Sequence, residues 1–257
     1  MNDDGAIVRP ASLGRALRKG FRAAYDHLGY VVLVSFVSLA GAAALLSPGW
    51  KAAVVLRPGM SGVAFLIPGV FFYYLCAVGA VYFADKSIYD EHPSLADTWR
   101  GIGRLFLPAL WLFVIDSIAM AILLGDAMFF LSLKSKAIGA AVGIGCLYLA
   151  VVWLMTAVYH LPLLPAQLRL ESGPKPFVIV RKSFLLTVGS PGFTLGLFLA
   201  IIALAVLCAL PAGLGTAMLF LGAAAFFLTH GLRELFVKYG VVEKEPDVVE
   251  DNGWPKG

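Results

Sequence analysis

Apolar residues gather into six runs along the chain, at residues 28–46, 60–84, 105–125, 137–161, 192–210 and 212–229. About 20 helical residues cross the ~30 Å hydrocarbon layer of a bilayer, and these runs have that length. The pattern predicts an all-α, polytopic membrane helical bundle. Strands would need a closed barrel to satisfy their backbone in lipid, and the alternating ten-residue segments of a barrel are absent. The last two runs are separated by little more than Pro211, which predicts a tight hairpin. About six transmembrane helices, as three two-helix hairpins, make one domain over residues 1–240, with a cytoplasmic tail at 241–257.

The polar residues between the runs are unevenly distributed. Arg9, Arg15, Arg18, Lys19 and Arg22 precede the first span. Lys86, Arg100 and Arg104 lie between the second and third, Arg169, Lys175, Arg181 and Lys182 between the fourth and fifth, and Arg233, Lys238, Lys244 and Lys256 after the sixth. The opposite side has only Lys51, Arg57, Lys134 and Lys136. Sixteen basic residues against four predict that both termini are cytoplasmic, since cytoplasmic loops carry the Lys/Arg excess.

The basic segments have their own pattern. Leu13, Leu17, Gly20, Phe21, Ala24 and Leu28 share one helical face, opposite Arg15, Arg18, Lys19, Arg22 and Asp26. Leu95, Trp99, Ile102 and Phe106 likewise oppose Asp97, Arg100 and Arg104. Both segments predict amphipathic helices at a membrane surface with anionic headgroups. Ser94 and Asp97 have capping-box spacing, and Pro93 suits a helix start. The third segment breaks the pattern, because Arg181 falls among Phe177 and Phe184. The three segments are in register: Ser12, Ser94 and Pro176 are 82 residues apart, as are Arg18, Arg100 and Lys182. This layout predicts an internal repeat related by an axis along the membrane normal.

A basic, aromatic segment opens a span at Ser94–Phe106 and again in KPFVIVRKSFLLTVGSPGFTLGL from Lys175 to Leu197. In this the chain resembles the YesL-like family of small bacterial integral membrane proteins of unknown function, over most of its length. The resemblance implies a bacterial cytoplasmic membrane and an accessory role beside sugar uptake. It supplies no catalytic residues.

Composition agrees with the hydropathy pattern. The chain of 257 residues is 60% hydrophobic and 14% charged, against roughly 25% charged in soluble domains. Its mean hydropathy is +0.86. The net charge of +4 follows from the cytoplasmic Lys/Arg excess and does not call for nucleic acid. Cys76, Cys146 and Cys208 lie in apolar runs and read as buried small hydrophobes, with no disulfide framework or zinc spacing. The 28–46 run follows a long polar segment and exceeds a signal-peptide core, so it is expected to remain as an anchor.

Few residues carry chemistry. Asp116, in LWLFVIDSIAM, lies near mid-membrane, where an acid costs roughly 3 kcal/mol to insert and is usually turned inward. It reads either as a proton, cation or polar-substrate site, or as a structural acid bonded to Ser117 or a neighbouring helix. His160, placed at the cytoplasmic end of the fourth span before Pro162 and Pro165, reads as a proton relay or an interfacial anchor. Asp26, His27, Asp85 and His92 sit at the cytoplasmic edge, and the four histidines are too scattered to predict a metal site. Pro68 and Pro108 predict kinks. Gly139, Gly143 and Gly145 predict close packing on a neighbouring helix. Tyr73, Tyr74, Trp153 and Tyr159 suit either the core or an interfacial belt.

No P-loop, HExxH or GxSxG motif occurs. Mitochondrial carriers also have three two-span repeats, but their amphipathic helix lies within each pair and their P-x-[DE]-x-x-[KR] signature is missing here. The expected function is therefore non-enzymatic and cofactor-free. The chain reads as an accessory or subunit of a larger, transport-related membrane assembly, with a protein partner or a further copy in the membrane. The alternative is a small secondary transporter or substrate-binding component using Asp116.

Overall fold

The computed structural model describes residues 10–55, 60–89, 93–133, 136–170, 173–210 and 213–242, with backbone only at 48–55, 60–66 and Lys136. Arg9, Arg57, His92, Lys134, Pro211, Lys244 and Lys256, with the tail beyond Val242, lie outside the described residues. The described chain is helical: α1 Leu13–Asp26, α2 Leu28–Val55, α3 Met60–Tyr89, α4 Leu95–Ser132, α5 Lys136–Ala157, α6 His160–Leu170, α7 Pro176–Gly189, α8 Pro191–Ala209, a π-helical turn Thr216–Phe220, and α9 Leu221–Lys238.

Six stretches are long and apolar enough to cross a membrane: those in α2, α3, α4, α5 with α6, α8, and the π turn with α9. Ile118, Ile122, Met128, Ile144, Tyr148 and Leu207 are among many large apolar side chains that face outward. A soluble protein does not expose so much apolar surface, whereas lipid covers it. The chain is a multi-pass helical membrane protein.

Helices α2 and α3 pack along one another, as do α4 and α5, and α3 also lies against α4 and α9. Gly139 and Gly143 permit the α4–α5 contact: a Cβ on Gly139 would stand 2.5 Å from Phe130 O, and one on Gly143 2.7 Å from Leu131 Cγ. Gly145 has open space around it. The third pair turns sharply at Gly213, whose φ of +77° favours glycine. Its second member then finds most of its neighbours elsewhere, on α1, α3 and α2. In α9 67% of the most apolar stretch is buried, against 17% in α8. The centre of the bundle is thus α3 and α9, and α8 is peripheral.

Helices begin at Leu13, Leu95 and Pro176, and the three stretches then differ. The first is a separate helix, α1, ended at His27. Its small residues Ala16, Gly20 and Ala24 are buried against α9, and Phe21 and Tyr25 are exposed beside Arg18 and Arg22. The second runs without a break into the third span, so α4 has 38 residues, about 57 Å at 1.5 Å per residue. The third is again separate: α7 exposes Phe177, Phe184 and Arg181 together and buries Ile179, Ser183 and Thr187.

The start of α4 is fixed by Asp97, which is buried. The Ser94 N–H and hydroxyl donate to its Oδ2 at 2.8 and 2.9 Å. Lys86 of α3 donates to the same oxygen at 2.9 Å, and Arg100 to Oδ1 at 3.2 Å. One carboxylate therefore caps α4 and ties it to α3. Asp97→Ala should lower stability by about 1–3 kcal/mol, because cap and cross-link go together. Asp97→Asn should cost less. Melting temperatures in detergent check this, and an unchanged value for Asp97→Ala would show that the network contributes nothing.

Candidate functional site

The fourth span does not end at residue 161. It breaks at Val158–Tyr159 and continues as α6 to Leu170. The cause is the pair of prolines. Pro162 and Pro165 have no N–H, so the carbonyls of Val158 and Leu161 lose their helical donors. The chain tightens instead, and the Tyr159 N–H donates to Thr156 O at 3.1 Å. Pro162 falls in the first turn of α6, where no N–H is needed, and Pro165 lies inside that helix.

The break sets the position of His160. It is the first residue of α6, is only 1% exposed, and lies inside the bundle. Its Nδ1 shares a 3.1 Å hydrogen bond with Asp116 Oδ2 on α4, and Oδ1 lies 3.0 Å away. Asp116 is one residue from the centre of the 105–125 run. The bond thus joins the middle of the third span to the break in the fourth.

Aromatic side chains enclose this pair. The Trp153 ring meets the His160 ring edge-on at 6.0 Å. Tyr74 of α3 packs its ring at 5.3 Å on Phe113, three residues before Asp116 on α4. Three buried polar atoms in this group have no partner at all: His160 Nε2, the Tyr74 hydroxyl and Trp153 Nε1. Each unmet buried group costs about 1–3 kcal/mol. Water or a polar guest among them would relieve that cost.

The other expected site residues are dispersed. Ser117 is exposed on the outer side of α4, away from the pair. Arg15 pairs with Glu234 at 3.4 Å, Arg100 with Asp97, and Arg104 lies 3.5 Å from the Tyr82 hydroxyl. Arg18, Lys19, Arg22 and Arg181 are exposed, and Lys182 lines a cleft between α6 and α7. Asp85 contacts Arg169 at 3.5 Å, and the Arg169 guanidinium covers the Tyr89 ring at 3.5 Å. Among the described residues, no three His, Cys, Asp or Glu side chains converge as metal ligands would.

The sequence places Tyr74 and Trp153 in either the core or an interfacial belt, and nothing in it connects Asp116 with His160. The two prolines after His160 were the available signal, since a broken helix exposes polar backbone that belongs inside a bundle. Comparison with known protein families, curated proteins and solved structures finds no match to this chain.

Proposed function

We propose that the chain is the proton-handling component of a membrane transport system, with Asp116 and His160 as the proton-carrying groups. One observation carries this reading: a buried histidine bonded through Nδ1 to an acid at the middle of the third apolar run, with its Nε2 unbonded. An imidazole can take a proton at one nitrogen and release one from the other, and its ordinary titration range spans neutrality. Asp116 accepts or returns that proton across the 3.1 Å contact. Tyr74 and Trp153 supply two further hydrogen-bonding atoms for water or substrate. The broken fourth span supports the same reading, because transporters place discontinuous helices around mid-membrane sites.

The setting proposed is a bacterial cytoplasmic membrane, with both termini inside on the strength of the Lys/Arg distribution. The resemblance to YesL-like proteins suggests that the chain works as a subunit beside a larger uptake system.

Proton flux tests the proposal. Liposomes containing the purified protein and a trapped pH-sensitive dye are given an inward-negative potacssium-diffusion potential with valinomycin. The interior should acidify faster than in protein-free liposomes. Asp116→Asn and His160→Gln should insert equally well and return the rate to background. A wild-type rate no faster than background would refute the proposal.

A further inference from the structure

A second site lies away from the Asp116–His160 pair. Helices α6 and α7 and the end of α9 enclose a cleft of about 460 Å³. That is within the ~300–1,000 Å³ range of small-ligand sites. Its walls are mainly apolar, with Leu163, Leu185 and Phe236 among them, and Gln167, Lys182 and Tyr239 are its polar lining.

Gln167 shows that the cleft is more than a packing gap. It is only 2% exposed. Its Oε1 accepts the Lys175 N–H at 3.2 Å, which fixes the side chain, and its Nε2 has no partner. A buried amide donor without an acceptor is costly. Lys182, on the opposite wall, contributes positive charge. Leu185 is 58% exposed and Leu170 46% at the lip, so the apolar part opens outward to where lipid covers the molecule. We infer that this cleft binds one anionic phospholipid of the bilayer, with an acyl chain against Leu163, Leu185 and Phe236 and the phosphate toward Lys182 and the Gln167 amide.

The charge and the geometry agree on this occupant. The cleft lies at the end of the bundle where Arg169, Lys175, Arg181 and Lys238 also lie in the sequence segments flanking it. Anionic headgroups are drawn to such a surface. A zwitterionic lipid would fill the apolar walls equally well and give up the charge term.

Native mass spectrometry of the detergent-purified protein tests this, with dioleoyl phosphatidylglycerol, dioleoyl phosphatidylcholine and glycerol 1-phosphate as probes. One phosphatidylglycerol should be retained in preference to phosphatidylcholine. Lys182→Gln should lower that preference about fivefold, the effect of one basic residue at an anionic surface. Gln167→Leu should lower it as well, and Leu185→Trp should remove the retained lipid by filling the cleft. Equal retention of the two lipids, or a preference unmoved by both Lys182→Gln and Leu185→Trp, would overturn the inference. Displacement of phosphatidylglycerol by equimolar glycerol 1-phosphate would make this a free-phosphate site and would also overturn it.

Discussion

Asp116→Lys should fail to assemble in the membrane, whereas Asp116→Asn should fold within about 1 kcal/mol of the parent protein. The contrast follows from what His160 needs. Its Nδ1 faces Asp116 across 3.0–3.1 Å, and the ring has almost no contact with its surroundings outside the protein. An Asn amide presents either a donor or an acceptor, so it can bond His160 in either tautomer. A Lys presents only donors and a charge, close to an imidazole and aromatic rings, at a depth where a charge costs roughly 3 kcal/mol or more.

His160→Leu should fall between the two. It leaves the Asp116 carboxyl without its partner, at about 1–3 kcal/mol. Removing both groups together, as Asp116→Leu with His160→Leu, should then cost less than the sum of the single changes. Paired buried groups are more harmful singly than together when one is deleted. Equilibrium unfolding in mixed micelles measures these variants together with Asp116→Leu alone. Equal stability of Asp116→Lys and Asp116→Asn would show that the acid is not held inside the bundle as described.

The fold was largely legible because lipid imposes a simple rule on composition. Six apolar runs became six spanning stretches, and the Ser94–Asp97 spacing did mark the start of α4. What hydropathy missed was polar residues satisfied inside the bundle, by their own helix or by another. The sixth apolar run ends at Thr229, yet α9 continues to Lys238. Thr229 and His230 are buried there, the Thr229 hydroxyl donates to Ala225 O at 2.8 Å, and Glu234 pairs with Arg15. The fourth apolar run ends at Leu161, where two prolines predict a helix end. The chain resumes as α6 because Pro162 lies in a first turn, where no N–H is required.

The candidate site was harder to read. Asp116 stood out alone because an acid in an apolar run is expensive. Its partner is 44 residues away on another helix, and no local period connects them. The amphipathic pattern of α1 was similarly ambiguous. Its wheel separated basic from apolar residues, but it could not distinguish a face that meets lipid from one that meets α9. Residue size settles that point: Ala16, Gly20 and Ala24 allow a helix to approach, and a Cβ on Gly20 would stand 2.7 Å from Phe227 Cδ1.

Gly222→Leu should abolish the native packing of α2 on α9, and Gly222→Ala should already cost about 1–3 kcal/mol by overpacking. Gly222 lies just after the π turn, at the start of α9. A Cβ there would stand 2.6 Å from Val31 Cα and 2.9 Å from Val31 O. Both are backbone atoms of α2, so no rotamer change can relieve the clash, and a whole helix must shift. The same approach lets the Gly222 N–H donate to the buried Ser35 hydroxyl at 3.0 Å, a bond that any displacement would lengthen. Val31 also belongs to the cluster of Tyr30, Phe83 and Phe226 that joins α2, α3 and α9, so the shift would spread through the centre of the bundle. Gly103→Ala provides the control. Gly103 is helical and has open space around it, so alanine there should gain about 0.5–1 kcal/mol from helix propensity alone. Thermal unfolding in detergent should therefore move in opposite directions for the two alanine variants. If Gly222→Ala melts with or above the parent protein, α2 and α9 do not meet at this glycine.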